Sequence, residues 1–166
     1  MMEIVQNGDP VLREVAQALS ETDIGSPKIN KVLVKMRSAL DTCEDGVALA
    51  APQIGEALRI FIVHPRAWKD SVVPDGETLV YINPQIVRKS KEKQLMDEGC
   101  LSVRGFYGKT YRHARVSVEA CDIFGKKFKR GASGLLAQIF QHEIDHLDGI
   151  LFIDHASDLK KAITDI

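Results

Sequence analysis

Apolar residues fall into two kinds of pattern along the chain: helical spacing in some stretches, short runs or alternation in others. After Ser26-Pro27, Ile29, Val32, Leu33, Met36, Leu40 and Cys43 recur every three or four positions with charged residues between them. That predicts an amphipathic helix with a Ser cap and Pro in its first turn, stopped by Asp45-Gly46, with Cys43 on the core side. Asp9-Pro10 repeats the start signal, and Val11, Leu12, Val15 and Leu19 predict a second packing helix. Residues 59–63 and 78–82 read as buried strands separated by a loop containing Pro65, Pro74 and Gly76, and 85–88 continues in extended form. Lys89 to Lys93 is a charged turn. From 112 to 120, Ala114, Val116, Val118 and Ala120 alternate with Arg115, Ser117 and Glu119, predicting a half-buried strand. The basic segment 126–130 is expected to return beside it as an edge strand. Residues 150–153 read as extended and 156–163 as a short helix.

The segment 133–147 departs from a simple amphipathic pattern. Ser133 starts a helix and Gly149 stops it, but Leu135, Leu136, Ile139, Phe140, Ile144 and Leu147 cover more than one stripe. A helix apolar on several sides is buried. Its polar residues Gln138, Gln141, His142, Glu143 and His146 therefore need partners, because an unpaired buried polar group costs about 1–3 kcal/mol.

A metal ion would supply such partners. His142-Glu143-Ile144-Asp145-His146 reads H-E-x-x-H, which puts two imidazoles on one helix face with a carboxylate beside them to act as general base toward a water. A catalytic metal takes three protein ligands and one solvent position. No Glu follows Glu143, and Phe152 stands where a metzincin has its third His. Asp154, Asp158 and Cys100, beside the flexible Gly99, remain as third-ligand candidates. The uncharged stretch from Gly46 to Gly55 is rich in small residues, which lets backbone approach a ligand closely.

Composition narrows the picture in three ways. The 166 residues fit one domain, 1–166, with no repeat or linker. Lys+Arg 22 against Asp+Glu 23 leaves a net charge of -1, so charge points to neither nucleic acid nor membrane. Three cysteines, no signal peptide and no apolar run of about 20 residues suit a reducing compartment, either cytoplasm or the mature form of an organellar protein.

Three segments together resemble the peptide deformylase family, whose motifs are G-x-G-L-A-A-P-Q, E-G-C-L-S and Q-H-E-x-D-H. This chain has Gly46 to Gln53, Glu98 to Ser102 and Gln141 to His146 in that order. The resemblance implies an α+β fold with mostly antiparallel, mixed strands around a central metal-binding helix. It implies a divalent metal held by Cys100, His142 and His146, iron(II) foremost, with zinc, nickel or cobalt as substitutes. The implied activity is removal of the formyl group from formyl-methionine at the N-terminus of nascent polypeptides, releasing formate. Glu143 would be the general base, with the Gln53 amide and the Leu101 backbone N–H as oxyanion donors. Val47, Ala48, Leu49, Met96, Leu135, Gln138 and Ile139 would contact substrate. The ribosome is a further partner to expect, although longer relatives dock through a C-terminal helix and only eight residues follow Asp158 here.

Two residues depart from the family pattern. Ala48 stands at the second Gly of the first motif, and Gln138 is polar at a pocket position that is apolar in many members. The rival readings are a relative with altered or lost substrate activity, an H-E-x-x-H metallopeptidase, and a non-catalytic metal-stabilised binding domain.

Overall fold

A computed structural model describes residues 3–161. Among the described residues it has two α-helices and eight strands. α1 spans Pro27–Asp41, and the Ser26 side chain accepts from the Ile29 N–H, as the Ser-Pro start requires. The strands are β1 Ala48–Ala50, β2 Ile60–Val63, β3 Val80–Lys89, β4 Lys93–Gly99, β5 Phe106–His113, β6 Arg115–Cys121, β7 Lys127–Ser133 and β8 Ser157–Lys161. α2 spans Gly134–Leu147 between β7 and β8.

The strands form a five-stranded sheet, β1-β2-β3-β6-β7, and a three-stranded sheet, β4-β5-β8, with every pairing antiparallel. Strand alternation sends one face of the larger sheet to each helix. Ala48, Ala50, Phe61, Tyr81, Val116 and Val118 pack with Phe140, Ile144 and Leu147 of α2. Leu49, Ile60, Ile62, Val80 and Ile82 pack with Ile29, Val32, Leu33 and Met36 of α1. Phe61 and Tyr81 stack at 4.6 Å between ring centroids, and Phe140 of α2 lies against both. α2 thus has its apolar side fixed against the large sheet, and its polar side is turned toward the small one.

Gln141 holds the junction of the two sheets. It accepts from the His113 N–H at 2.8 Å and donates to the His113 carbonyl at 3.0 Å. The alternating segment predicted as one strand divides here: β5 ends at His113, β6 begins at Arg115, and the two belong to different sheets. Alternation continues through the break, so periodicity alone does not reveal it.

Four expectations need correction. Residues 9–19 are not a helix: only Pro10–Arg13 makes a 3-10 turn, and Val15 is 73% exposed. Tertiary bonds take over the backbone, with Ala16 N–H donating to the Leu147 carbonyl and Gln17 N–H to the Ala57 carbonyl. The segment 150–153 runs into a 3-10 turn, Phe152–Asp154, and Leu151 and Phe152 are buried. The chain end forms β8 rather than a helix; it pairs with Phe106–Lys109, and residues 162 and 163 lie outside the described residues. Ser133 precedes α2, but its side chain makes no capping bond. β7 is, as expected, an edge strand of the larger sheet.

Candidate metal and hydrolytic site

The polar side of α2 meets the end of β4 and the turn after it. Cys100 follows β4, and its Sγ lies 3.2 Å from His146 Nε2. One donor atom from each of Cys100, His142 and His146 lies within 4.8 Å of the others. Asp154 and Asp158 are outside this group: Asp154 is held by Arg13 at 2.6 Å, and Asp158 lies on β8. Tetrahedral zinc-type ligation needs donors about 2.0–2.3 Å from the ion, and a thiolate with two imidazoles at this mutual spacing fits it. Burial holds His146 well below the usual histidine range; burial lowers His142 too, but its hydrogen bonds with Cys100 and Glu98 outweigh that and raise it well above the range.

His142 is oriented by a buried ion pair. Its Nδ1 lies 3.2 Å from Glu98 Oε2, which leaves Nε2 facing the cavity. Arg112 forks onto Glu98 at 3.0 and 2.6 Å and reaches Asp145 at 2.7 Å. Burial raises the Glu98 carboxyl, but the hydrogen bonds from His142 and Arg112 outweigh it and leave the group well below the usual carboxylate range. Asp145 therefore supports the site from behind, whereas Asp148 sits at the end of α2 and pairs with Arg59 at 3.0 Å. The Glu98–Arg112 pair had one sequence signal: Arg112 shares the parity of the buried positions Ala114, Val116 and Val118. A cation on a buried face needs an anion beside it.

Glu143 is buried, and its Oε2 has no hydrogen-bond partner; its Oε1 lies 3.9 Å from His142 Nε2. Burial pushes its carboxyl up to about 7, opposed by the nearby His142 charge. An unpaired carboxylate with a near-neutral pKa, at the edge of three side chains that could hold a metal, is suited to exchanging a proton with water.

The site opens into a cavity of about 430 Å³. Gln53 is fixed in its wall: its Oε1 accepts from the Ala50 N–H at 2.9 Å, and its Nε2 lies 3.1 Å from Ser102 Oγ and 3.7 Å from Cys100 Sγ. Gly46 brings this loop close, since a Cβ there would stand 2.9 Å from the Leu101 and Leu40 side chains. Val47, Ala48, Leu101, Leu135, Gln138 and Ile139 all line the cavity. Leu49 does not, because alternation along β1 turns its side chain into the α1 core. Met96 does not line it either: it lies two residues before Glu98 on β4, and the lining begins at Asp97.

A family model described as polypeptide deformylase matches residues 1–162. A peptide deformylase from Desulforudis audaxviator is 39% identical, with 97% of each chain covered. The chloroplastic peptide deformylase 1A of Solanum lycopersicum is 42% identical over 93% of this chain, which spans only 59% of that longer protein. Among solved structures, a peptide deformylase from Legionella pneumophila superposes with a TM-score of 0.82 at 35% identity, covering 95% of this chain and 87% of that one.

Proposed function

The chain belongs to the polypeptide deformylase family, and from that premise we propose that it hydrolyses the N-formyl group of formyl-methionyl peptides, releasing formate. The supporting observation is the unpaired Glu143 carboxylate beside Cys100, His142 and His146 at the wall of an open cavity. A non-catalytic metal site closes its coordination with protein and has no use for that carboxylate.

Cys100, His142 and His146 would hold one divalent ion, and the ion supplies Lewis-acid polarisation when bound. A thiolate with two imidazoles suits iron(II), the family's expected metal, as well as zinc, nickel or cobalt. Glu143 takes a proton from the attacking water. The water oxygen bonds to the formyl carbon, the carbon–nitrogen bond breaks, and Glu143 returns the proton to the departing amine. The Gln53 amide and the Leu101 N–H are the proposed donors to the oxyanion, and loss of one should cost roughly 100–1000-fold in turnover. Glu98 and Arg112 keep His142 in the tautomer that presents Nε2. The cavity wall of Val47, Leu135 and Ile139 receives the first side chain. The physiological substrates would be nascent formyl-methionyl polypeptides, in a bacterial cytoplasm or an organelle that makes them, with any ribosome contact made outside this cavity.

Formate release from formyl-Met-Ala-Ser by anaerobically purified protein tests the proposal. Wild type should release formate, Glu143→Ala should keep metal without turnover, and Cys100→Ala should lose active metal. Metal-dependent cleavage of internal peptide bonds without formate would overturn it in favour of a peptidase.

A further inference from the structure

Gln138 gives the first-side-chain pocket a polar wall that the reaction above leaves unused. It sits on α2 one turn before His142, is 8% exposed and lines the cavity. Its Nε2 donates to the Asp97 carbonyl at 2.8 Å and to Glu98 Oε1 at 3.2 Å. Both partners are acceptors, so the nitrogen must face them, and both of its N–H bonds are spent. The amide oxygen accepts no hydrogen bond among the described residues. It is also absent from the side-chain atoms sealed off without a partner, so it retains access to solvent. For a residue this buried, that access is the cavity. The neighbouring side chains Val47, Leu135 and Ile139 carry no donor to satisfy it.

An apolar side chain that fills the pocket covers this oxygen and leaves it unpaired, which costs binding. A side chain of the same length that ends in a donor meets it instead. We propose that Gln138 widens the side-chain tolerance of the pocket, so that beside methionine it accepts N-formyl peptides whose first residue is unbranched, as long as methionine, and ends in a hydrogen-bond donor. This rests on reading the cavity as the site of the first side chain, and it makes Gln138 a specificity-determining residue whose Oε1 is the acceptor.

Formyl peptides that differ only in the first side chain test it: norleucine, methionine and 5-hydroxynorvaline have the same length and end in methyl, methyl and hydroxyl. A wholly apolar pocket should reject the hydroxyl by roughly 100-fold. The metal-loaded wild type should instead process the hydroxynorvaline peptide with kcat/KM within about 10-fold of the norleucine peptide, and Gln138→Leu and Gln138→Met should each widen that gap about 10-fold further. Both variants also remove the bond to Glu98, which would lower kcat alike for all three peptides, so the ratio carries the result. Calorimetric binding of the three deformylated peptides to wild type gives a second readout that needs neither turnover nor a folded variant, and it should follow the same order. Rejection of the hydroxyl by about 100-fold in wild type, or an unchanged ratio in both variants, overturns the assignment. If the formyl-methionyl peptide is cleaved and the hydroxyl rejected, only the Gln138 assignment falls. If no peptide releases formate but calorimetry keeps the expected order, only the hydrolytic reading falls.

Discussion

Replacing Glu143 with Gln should abolish turnover and yet stabilise the metal-free protein, increasingly so as pH rises. Glu143 is 3% exposed, and one of its oxygens has no partner. Burial lifts its carboxyl from 4.5 to about 7. A carboxyl that binds its proton more tightly when folded favours the native state below the unfolded pKa. That advantage is lost as pH climbs from 4.5 through 7 and is level above. At about 1.36 kcal/mol per pH unit, forcing the charge into the folded site costs roughly 1.4 kcal/mol at pH 5.5 and roughly 3 kcal/mol at pH 8. Gln keeps the shape and never ionises, so it escapes this cost. Urea unfolding of chelator-treated wild type and Glu143→Gln at pH 5.5 and pH 8 measures it. The variant's advantage should grow by roughly 2 kcal/mol between the two pH values, about 1 M in midpoint. Adding metal should shrink the difference, because a nearby cation stabilises the carboxylate in the wild type. A pH-independent difference, or a variant less stable at pH 8, would refute the idea that Glu143 is held charged against its surroundings.

Arg112→Met strands the Glu98 carboxylate in the interior, where its side chain is 4% exposed, and should cost about 3–5 kcal/mol, read as a fall in melting temperature along with weaker metal retention. Gly149→Ala should destabilise by about 1–3 kcal/mol in urea unfolding, because residue 149 has φ 75 and a Cβ there would stand 2.7 Å from the Arg13 carbonyl oxygen. Ala48→Gly should raise kcat/KM on at least one formyl-peptide if the Ala48 methyl crowds the cavity; no gain on any formyl-peptide would show that the methyl is harmless.

The parts of the fold visible in sequence were those in which pattern and packing agree. α1 and α2 begin close to their Ser signals and α2 ends close to Gly149, whereas α1 ends at Asp41, five residues before Gly46; β2 and β6 follow their apolar runs. The failures have two causes. β4 and β5 hold few apolar residues because their sheet is half solvated, so they lack a clean period, and β8 is exposed along its whole length. The segment after Asp9 has a helical apolar pattern, but its backbone is claimed by Leu147 and Ala57, partners 40 or more residues away that local propensity cannot anticipate. In the site, the two His and Glu143 could be read from spacing because a helix turns a sequence interval into a spatial one. Cys100 could not, since its approach to His146 depends on where β4 ends against α2. The support of His142 by Glu98 and Arg112 joins three elements, and only the place of Arg112 on the buried parity hinted at it.

X-ray absorption on the anaerobically purified protein tests most directly whether one ion is gripped by a sulfur from the turn after β4 and two nitrogens from α2. One metal per chain with a single sulfur and two imidazole nitrogens in the first coordination sphere, the sulfur lost in Cys100→Ser, is the predicted result. A bound metal without sulfur scattering, or one unchanged by Cys100→Ser, would contradict it.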